Sequence, residues 1–196
     1  MRKLVVSEFL SLDGVMQAPG LPDEDRSGGF EHGGWQVPYG DDVAGAEIMA
    51  SMAATGALLL GRVTYEIFAG YWPSAPAGDP MAQMINSFTK YVVSTTLREP
   101  LEWDDSHAIS GDVPHEVGRL KQESGKDIQV IGSGELAQTL MEHDLVDEYR
   151  LMTYPLVLGG GKRLFRDGNA RTALRLVESK ASSTGVLIAT YVPADR

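Results

Sequence analysis

The fold is decided by two stretches of the chain, of which the first reads Leu58-Leu59-Leu60-Gly61-Arg62-Val63-Thr64-Tyr65-Glu66. The second reads Ile128-Gln129-Val130-Ile131-Gly132-Ser133-Gly134-Glu135-Leu136-Ala137. In each, a short apolar run precedes a glycine, and the spacing of a helix follows. Short apolar runs are typical of strands buried in a parallel sheet, and glycine allows a tight turn and the close approach of a ligand. Each stretch therefore predicts a strand, a turn and a helix whose first N–H groups are free.

Free N–H groups and the positive end of the helix dipole make such a turn an anion site, usually for phosphate. Two sites in one small domain suggest a dinucleotide. Arg62 stands at the first helical position, where its guanidinium can bind a phosphate through two hydrogen bonds. Thr64 can bind a second phosphate oxygen or cap the helix. An ordinary Rossmann site is disfavoured, because Tyr154 stands where that fingerprint expects an acid for the ribose.

Strands and helices alternate along most of the chain. The pattern predicts strands over residues 4–9, 57–60, 90–94, 128–131 and 146–157, and helices over residues 43–55, 63–69, 81–88, 114–123 and 135–142. Two further strands, over 173–179 and 186–192, are joined by a short polar turn and indicate an antiparallel hairpin. This order predicts an α/β fold with a mostly parallel sheet between helices and antiparallel C-terminal edge strands.

Length and composition narrow the class of protein. The 196 residues contain no internal repeat or linker, which predicts a single domain over residues 1–196. A formal charge of -10 argues against binding to nucleic acid or to an anionic membrane surface. The absence of cysteine excludes disulfides and thiol nucleophiles, and the four histidines show no metal-ligand spacing, so no metal is expected. No stretch has the length of a membrane span or signal peptide, which favours a cytoplasmic protein.

The segment over residues 14–40 is rich in glycine and proline and carries Phe30, Trp35 and Tyr39. Long irregular segments within a domain are often functional, so we expect a lid or pocket wall. Trp35 and Tyr39 are candidate surfaces for stacking against a substrate, although anchoring in the core explains them equally well. Asp13, just before this segment, is a weak candidate for acid–base catalysis, and its alternative is a turn residue after a strand.

Several short motifs occur in an order that resembles one known family. They are Ser11-Leu12-Asp13-Gly14, Gly61-Arg62-Val63-Thr64-Tyr65-Glu66, Tyr91-Val92-Val93-Ser94, Gly132-Ser133-Gly134-Glu135-Leu136, Leu145-Val146-Asp147-Glu148-Tyr149, Pro155-Leu156-Val157-Leu158-Gly159 and Leu164-Phe165. Together they resemble the dihydrofolate reductase-like fold, in particular the RibD C-terminal reductase domain and its stand-alone bacterial relatives. The resemblance covers nearly the whole chain and implies the three-layer sandwich of that fold.

The resemblance implies NADPH as hydride donor and a homodimer formed through the late strands. By the same resemblance, Arg62 and Ser94 would hold the 2′-phosphate of the adenosine, and Thr64 would contact the pyrophosphate beside Gly61. The second turn would present backbone N–H groups to the pyrophosphate, from Gly132, Ser133, Gly134, Glu135 and Leu136. The nicotinamide would lie near Asp13, beneath the 14–40 segment.

The resemblance further implies a cytoplasmic reductase like 5-amino-6-(5-phosphoribosylamino)uracil reductase of riboflavin biosynthesis, acting on a small heterocycle. The substrate and the proton donor stay open. Folate-reducing relatives carry one carboxylate on the helix after the loop, where this chain has Asp41, Asp42 and Glu47. A ribose phosphate calls for cations, and Arg26 is the cation between Asp13 and Gly61. The alternatives are dihydrofolate reductase activity, a module that binds a nucleotide or pterin without turnover, and a fold that binds no dinucleotide.

Overall fold

The predicted parallel sheet is present in the computed structural model, which describes residues 1–168 and 171–194. The described strands are β1 (Leu4–Ser11), β2 (Thr55–Gly61), β3 (Thr89–Val93), β4 (Ser106–Ile109), β5 (Asp127–Ile131), β6 (Glu148–Tyr154), β7 (Leu174–Ala181) and β8 (Leu187–Pro193). The α-helices in the same ranges are α1 (Asp42–Ala54), α2 (Arg62–Tyr71), α3 (Pro80–Ser87), α4 (Val113–Gln122) and α5 (Gly134–Glu142).

All of these strands form one sheet, in the order β4-β3-β2-β5-β1-β6-β8-β7. The pairs from β4 to β6 are parallel, whereas β8 runs antiparallel to both β6 and β7. The prediction of a mostly parallel sheet with antiparallel C-terminal edge strands is therefore confirmed. The central position of β2 explains its uninterrupted apolar run, because Leu58, Leu59 and Leu60 are all fully buried between the helix layers.

Helices cover both faces of the sheet and complete the three layers. On one face, Val117 of α4 and Leu136 of α5 pack against Leu4 and Val6 of β1. On the other face, α1, α2 and α3 cover β2 and β3, in a cluster that includes Met52, Tyr65 and Ile85. The described part of the chain contains no helix that is both long enough and apolar enough to cross a membrane.

The structure differs from the sequence prediction mainly in short elements. Strand β4 was not predicted, because Ser106 and His107 interrupt the apolar pattern of its four residues. The strand predicted over 146–157 is shorter and ends at Tyr154, before Pro155. Short 3-10 turns at Ser27–Gly29 and Val37–Tyr39 lie within the segment that was predicted to be irregular.

Candidate functional site

The two glycine turns lie side by side, because β2 and β5 are parallel neighbours whose carboxyl ends meet at one edge of the sheet. The Gly61 amide donates to Ser133 Oγ at 2.9 Å, and the Ser133 amide donates to Thr64 Oγ1 at 2.9 Å. Ser133 Oγ in turn donates to the Ile131 carbonyl at 3.0 Å. The two anion sites predicted separately are therefore joined into one.

The helices that begin at this edge differ from the others at their first turn. Helices α1, α3 and α4 are capped at their N-termini by the preceding residues Asp41, Asp79 and Asp112. Each of these carboxylates accepts a hydrogen bond from an N–H of its helix. Helices α2 and α5 follow Gly61 and Ser133, and neither has a side-chain cap. Their first N–H groups have no partner within the helix and are available to a ligand.

The second turn offers fewer amides than the sequence predicted. The Gly132 amide lowers the pKa of the neighbouring Glu8 carboxyl group against the effect of burial, and the Ser133 amide donates to Thr64 Oγ1. The Ser133 amide therefore serves an internal contact, and the expected role of Gly132 and Ser133 at the pyrophosphate stays a prediction. The amides of Gly134, Glu135 and Leu136 belong to the uncapped first turn of α5 and are the ones placed to bind an anion.

Two arginines stand beside these helix starts. Arg62 begins α2 as predicted, and its guanidinium pairs with Glu66 one turn later at 2.9 Å. Arg166, in the segment after β6, pairs with Glu135 of α5 at 2.6 Å. A Cβ added to Gly134 would lie 3.3 Å from Arg166 Nη2. Arg166 was missed from the sequence, although it directly follows the Leu164-Phe165 motif.

Ser94 is not part of this arrangement. Its side chain is buried, and its Oγ accepts hydrogen bonds from the amides of Thr96 at 3.1 Å and Leu97 at 3.0 Å. Ser94 does not line the cavity in the described structure, whereas Val93 before it does. In the structure Ser94 therefore holds a turn, and its expected place beside Arg62 at the 2′-phosphate stays a prediction.

A cavity of about 770 Å³ runs from the two turns across the sheet and beneath α1, a volume typical of small-ligand sites. Its floor is one face of the sheet, and the strand register arranges the side chains in rows. Ser7 of β1 lies beside Arg150 of β6, which lies beside Thr190 of β8. The adjacent row is apolar and consists of Phe9, Met152 and Ile188.

In the polar row, the hydroxyl of Ser7 lacks a hydrogen-bond partner among the described residues, and the guanidinium of Arg150 is paired with a carboxylate. Ser7 Oγ is buried and has no hydrogen-bond partner among the described residues. Arg150 Nε donates to Glu148 Oε1 at 2.6 Å, and its Nη1 donates to Ser51 Oγ of α1 at 3.1 Å. A planar ligand with polar edge groups could bind polar partners on this row and rest its ring on the apolar row.

The 14–40 segment forms one wall of the cavity, through residues that include Met16, Gln17 and Leu21. Its aromatic residues lie elsewhere. Trp35 is 6% exposed and donates its indole N–H to the Gln17 carbonyl at 2.7 Å, while Tyr39 packs edge-to-face against Tyr154. Neither Trp35 nor Tyr39 lines the cavity in the described structure. The core reading of these two residues therefore replaces the substrate-stacking reading.

Asp13 holds two loops together. Its carboxylate accepts hydrogen bonds from Ser11 Oγ at 2.7 Å and from the amides of Leu158 and Gly159 at 3.1 and 2.9 Å. The bond from Ser11 is the largest cause that lowers the pKa of Asp13 to about 2. A carboxylate that is charged and fully engaged at neutral pH is a poor proton donor. The structure therefore favours the turn-residue reading of Asp13.

The three carboxylates considered on the helix after the loop have different surroundings in the structure. Asp41 caps α1 and accepts from Ser183 Oγ at 2.7 Å, and Asp42 is exposed. Glu47 lines the cavity but pairs with Lys180 of β7 at 2.5 Å. Arg26 pairs with Asp23 away from the cavity lining.

Glu8 is a cavity residue that the sequence analysis missed. It lies on β1, is 5% exposed and lines the cavity. Burial raises the pKa of Glu8 well above its ordinary value, and the hydrogen bond from the Gly132 amide opposes that shift. The signal in the sequence is a single charged residue inside the apolar run over residues 4–10.

The sequence matches one family of known proteins. The model of the RibD C-terminal domain matches residues 2–188. The chain is 35% identical over 139 residues to the uncharacterised protein YyaP of Bacillus subtilis, covering 68% of this chain and 72% of YyaP.

Solved structures show the same fold at low identity. A protein from Shewanella sp. PV-4, named for a proposed part in riboflavin biosynthesis, superposes with a TM-score of 0.70 at 21% identity over 97% of this chain and 98% of its own. A diaminohydroxyphosphoribosylaminopyrimidine deaminase/5-amino-6-(5-phosphoribosylamino)uracil reductase from Thermotoga maritima superposes with a TM-score of 0.64 at 12% identity. That match covers 98% of this chain and 57% of the Thermotoga protein.

Proposed function

Because this chain belongs to the RibD C-terminal domain family, we propose that it is an NADPH-dependent reductase that transfers a hydride to a small heterocyclic substrate. The observation that carries the proposal is the pair of uncapped helix starts, α2 and α5, bonded to each other at one edge of the sheet. Arg62 and Arg166 flank these starts with positive charge. The arrangement suits a ligand with two separated phosphate groups.

Each phosphate group has its own partners in this proposal. The first-turn amides of α5 and the Arg166 guanidinium bind the pyrophosphate, and Arg62 binds the 2′-phosphate. NADPH supplies the hydride chemistry when bound, and the protein supplies binding and orientation. The substrate lies on the floor beneath α1, where Ser7 and the apolar row face the cavity.

The first substrate to test is 5-amino-6-(5-phosphoribosylamino)uracil, named by the activity of the Thermotoga relative. Two cations of the cavity lining are already paired, Arg150 with Glu148 at 2.6 Å and Lys162 with Asp25 at 2.7 Å. A substrate phosphate must therefore compete with a carboxylate at either position. Dihydrofolate is the second substrate to test, because Glu47 places a carboxylate on the cavity wall.

Fluorescence titration with NADPH and NADH tests the cofactor. The wild-type protein should prefer NADPH, and Arg62→Ala should weaken NADPH by about ten- to a hundred-fold while changing NADH little, because a charge-assisted hydrogen bond is lost. Arg119→Ala is the matched control, since Arg119 makes a similar pair with Glu123 one turn away on α4, remote from the cavity. Equal affinity of the wild-type protein for both cofactors would exclude the 2′-phosphate role of Arg62.

Turnover is tested by following NADPH absorbance with the uracil substrate, dihydrofolate, and a panel of pterins, flavins and quinones. Oxidation of NADPH that depends on one of these compounds is the expected result. Tight binding of NADPH without oxidation in the presence of any of them would instead favour a module that binds nucleotide without turnover.

We also propose a homodimer formed through the late strands. Strand β7 is an edge of the sheet, and Leu176 and Val177 on it are 49% and 54% exposed, an apolar edge that favours pairing with another chain. Light scattering should give the mass of a dimer for the wild-type protein and of a monomer for Val177→Lys. Val157→Lys, at an exposed valine outside the strands, should stay dimeric.

A further inference from the structure

The side chains of β1 alternate between the two faces of the sheet and therefore lie in two different environments. Ser7 and Phe9 face the cavity floor, whereas Leu4, Val6 and Leu10 pack into the core beneath α4 and α5. Glu8 belongs by this alternation to the core-facing set, yet it lines the cavity at the Gly132 turn. A carboxyl group thus occupies an otherwise apolar row, next to the anion-binding end of the cleft.

The hydrogen bonds of Glu8 are incomplete. The Gly132 amide lies beside the carboxyl group and lowers its pKa, but Oε1 is buried and has no partner among the residues that the structure describes. Burying a polar atom without a partner destabilises the unliganded protein. Because Glu8 lines the cavity, a bound ligand is the partner that could satisfy it.

Among the described residues, no cation forms an ion pair with Glu8. The cations that line the cavity are each paired with another carboxylate: Arg62 with Glu66, Arg166 with Glu135, Arg150 with Glu148 and Lys162 with Asp25. The other acidic residues of the lining are Glu24, Asp25, Glu47 and Glu135, which carry the same sign of charge as an ionised Glu8. Burial raises the pKa of Glu8 well above its ordinary value, a shift towards the neutral acid, and the Gly132 amide opposes it. A neutral carboxylic acid carries one O–H donor.

We propose that the carboxyl group of Glu8, at the anion-binding end of the cleft, donates a hydrogen bond to an acceptor oxygen of the bound dinucleotide. The inference rests on the proposed function, since it takes NADPH as the ligand. Charge supports it, because an ionised Glu8 beside the Gly132 turn would repel a pyrophosphate, whereas the neutral acid offers it a donor. Glu8 is thereby a binding residue that makes cofactor affinity depend on one proton.

NADPH titrations from mildly acidic to alkaline pH test the inference with wild-type protein, Glu8→Gln and Glu8→Leu. Glutamine keeps the shape and a donor without a proton to lose, so it should match the wild-type affinity at low pH and hold it as the pH rises. The wild-type affinity should fall with pH relative to Glu8→Gln. Leucine should bind about tenfold more weakly at low pH, through loss of the donor. The Gln variant also corrects for titration of NADPH itself.

Infrared spectra of the unliganded protein provide a second measurement. The carbonyl stretch of a protonated carboxylic acid should be present at neutral pH in wild-type protein and missing in Glu8→Gln. Absence of that band in the wild-type protein would refute the neutral acid whatever ligand binds.

The binding results separate the possible failures. If the wild-type affinity rose with pH and Glu8→Gln were weaker throughout, Glu8 would be an ionised acceptor and the inference would be wrong. Equal binding by all three proteins would also refute it while leaving the proposed cofactor intact. Failure of the wild-type protein to bind NADPH at any pH would refute the proposed function, and the ligand role of Glu8 with it.

Discussion

The two ends of the cavity are built from different parts of the chain. The anion-binding end is mainly backbone, formed by the uncapped first turns of α2 and α5 and held by bonds between the Gly61 and Gly132 turns. The floor beneath α1 is side chain, formed by rows such as Ser7, Arg150 and Thr190. A backbone site tolerates many side chains but depends on its turn geometry. A floor made of side chains changes with each substitution, so relatives could keep the cofactor while changing the substrate.

The largest effect is expected from Gly132→Ala at the backbone end. Gly132 has φ +57, and an added Cβ would lie 3.1 Å from Thr64 Oγ1, which accepts the Ser133 amide. We expect a loss of about 1–3 kcal/mol in the free energy of unfolding and weaker NADPH binding, because the first turn of α5 is displaced. Urea unfolding and NADPH titration measure the two effects.

Gly28→Ala is the control for this change. Gly28 has φ +68, and an added Cβ would meet nothing within 4 Å, so alanine there adds backbone strain without a contact. Its NADPH affinity should equal that of wild type. If Gly132→Ala bound NADPH as well as Gly28→Ala does, the bond between the two turns would not support the site.

The second prediction concerns Asp13, which ties the turn after β1 to the Leu158–Gly159 backbone. Its pKa is lowered from 3.8 to about 2, so its stabilisation is present above pH 3.8 and is lost as the pH falls through about 2. Asp13→Asn should lower the free energy of unfolding by about 1–2 kcal/mol at neutral pH, and the difference should vanish in acid. Urea unfolding at several pH values measures it.

Asp23→Asn is the comparison for Asp13, because Asp23 is an exposed carboxylate in an ion pair on the 14–40 segment. We expect only a small change in stability there. If Asp13→Asn were instead as stable as wild type at neutral pH but had lost turnover, a catalytic role for Asp13 would be favoured.

The difference between the backbone end of the cavity and its side-chain floor also explains which features could be predicted from the sequence. The sheet, its helices and the turns at Gly61 and Gly132 were predictable, because each is encoded within about ten consecutive residues by apolar spacing and glycine. Arg62 was found for the same reason. The row of Ser7, Arg150 and Thr190 was not, because it depends on the register between strands distant in the chain.

Misassigned residues show a related limit. Trp35 and Asp13 have side chains that suit both binding and structure, and only their partners distinguish the two. Trp35 bonds the Gln17 carbonyl and Asp13 bonds the Gly159 amide, contacts that no local pattern encodes. Glu8 was missed although its charge in an apolar strand was visible, because a charged residue in a strand more often marks an exposed edge.

The smallest effect is expected at the floor and has the opposite sign to the first two. Ser7 and Ser11 both lie on β1, but Ser7 Oγ is buried without a partner among the described residues, while Ser11 Oγ accepts from the Val15 amide at 2.9 Å and donates to Asp13 at 2.7 Å. Ser7→Ala should therefore raise the free energy of unfolding by up to about 1 kcal/mol, and Ser11→Ala should lower it by about 1–2 kcal/mol. Urea unfolding of the two variants measures both changes.

A gain at Ser7 would mean that the fold retains a hydroxyl at a cost in stability, which is typical of residues kept for binding. The more stable Ser7→Ala variant should then bind its substrate more weakly while its affinity for NADPH stays unchanged, because Ser7 belongs to the floor and not to the helix starts. If Ser7→Ala were destabilised as much as Ser11→Ala, its hydroxyl would already be satisfied in the unliganded protein. The polar row of the floor would then offer a ligand Thr190 and the paired groups of Arg150, and the apolar row would contribute more to holding the substrate.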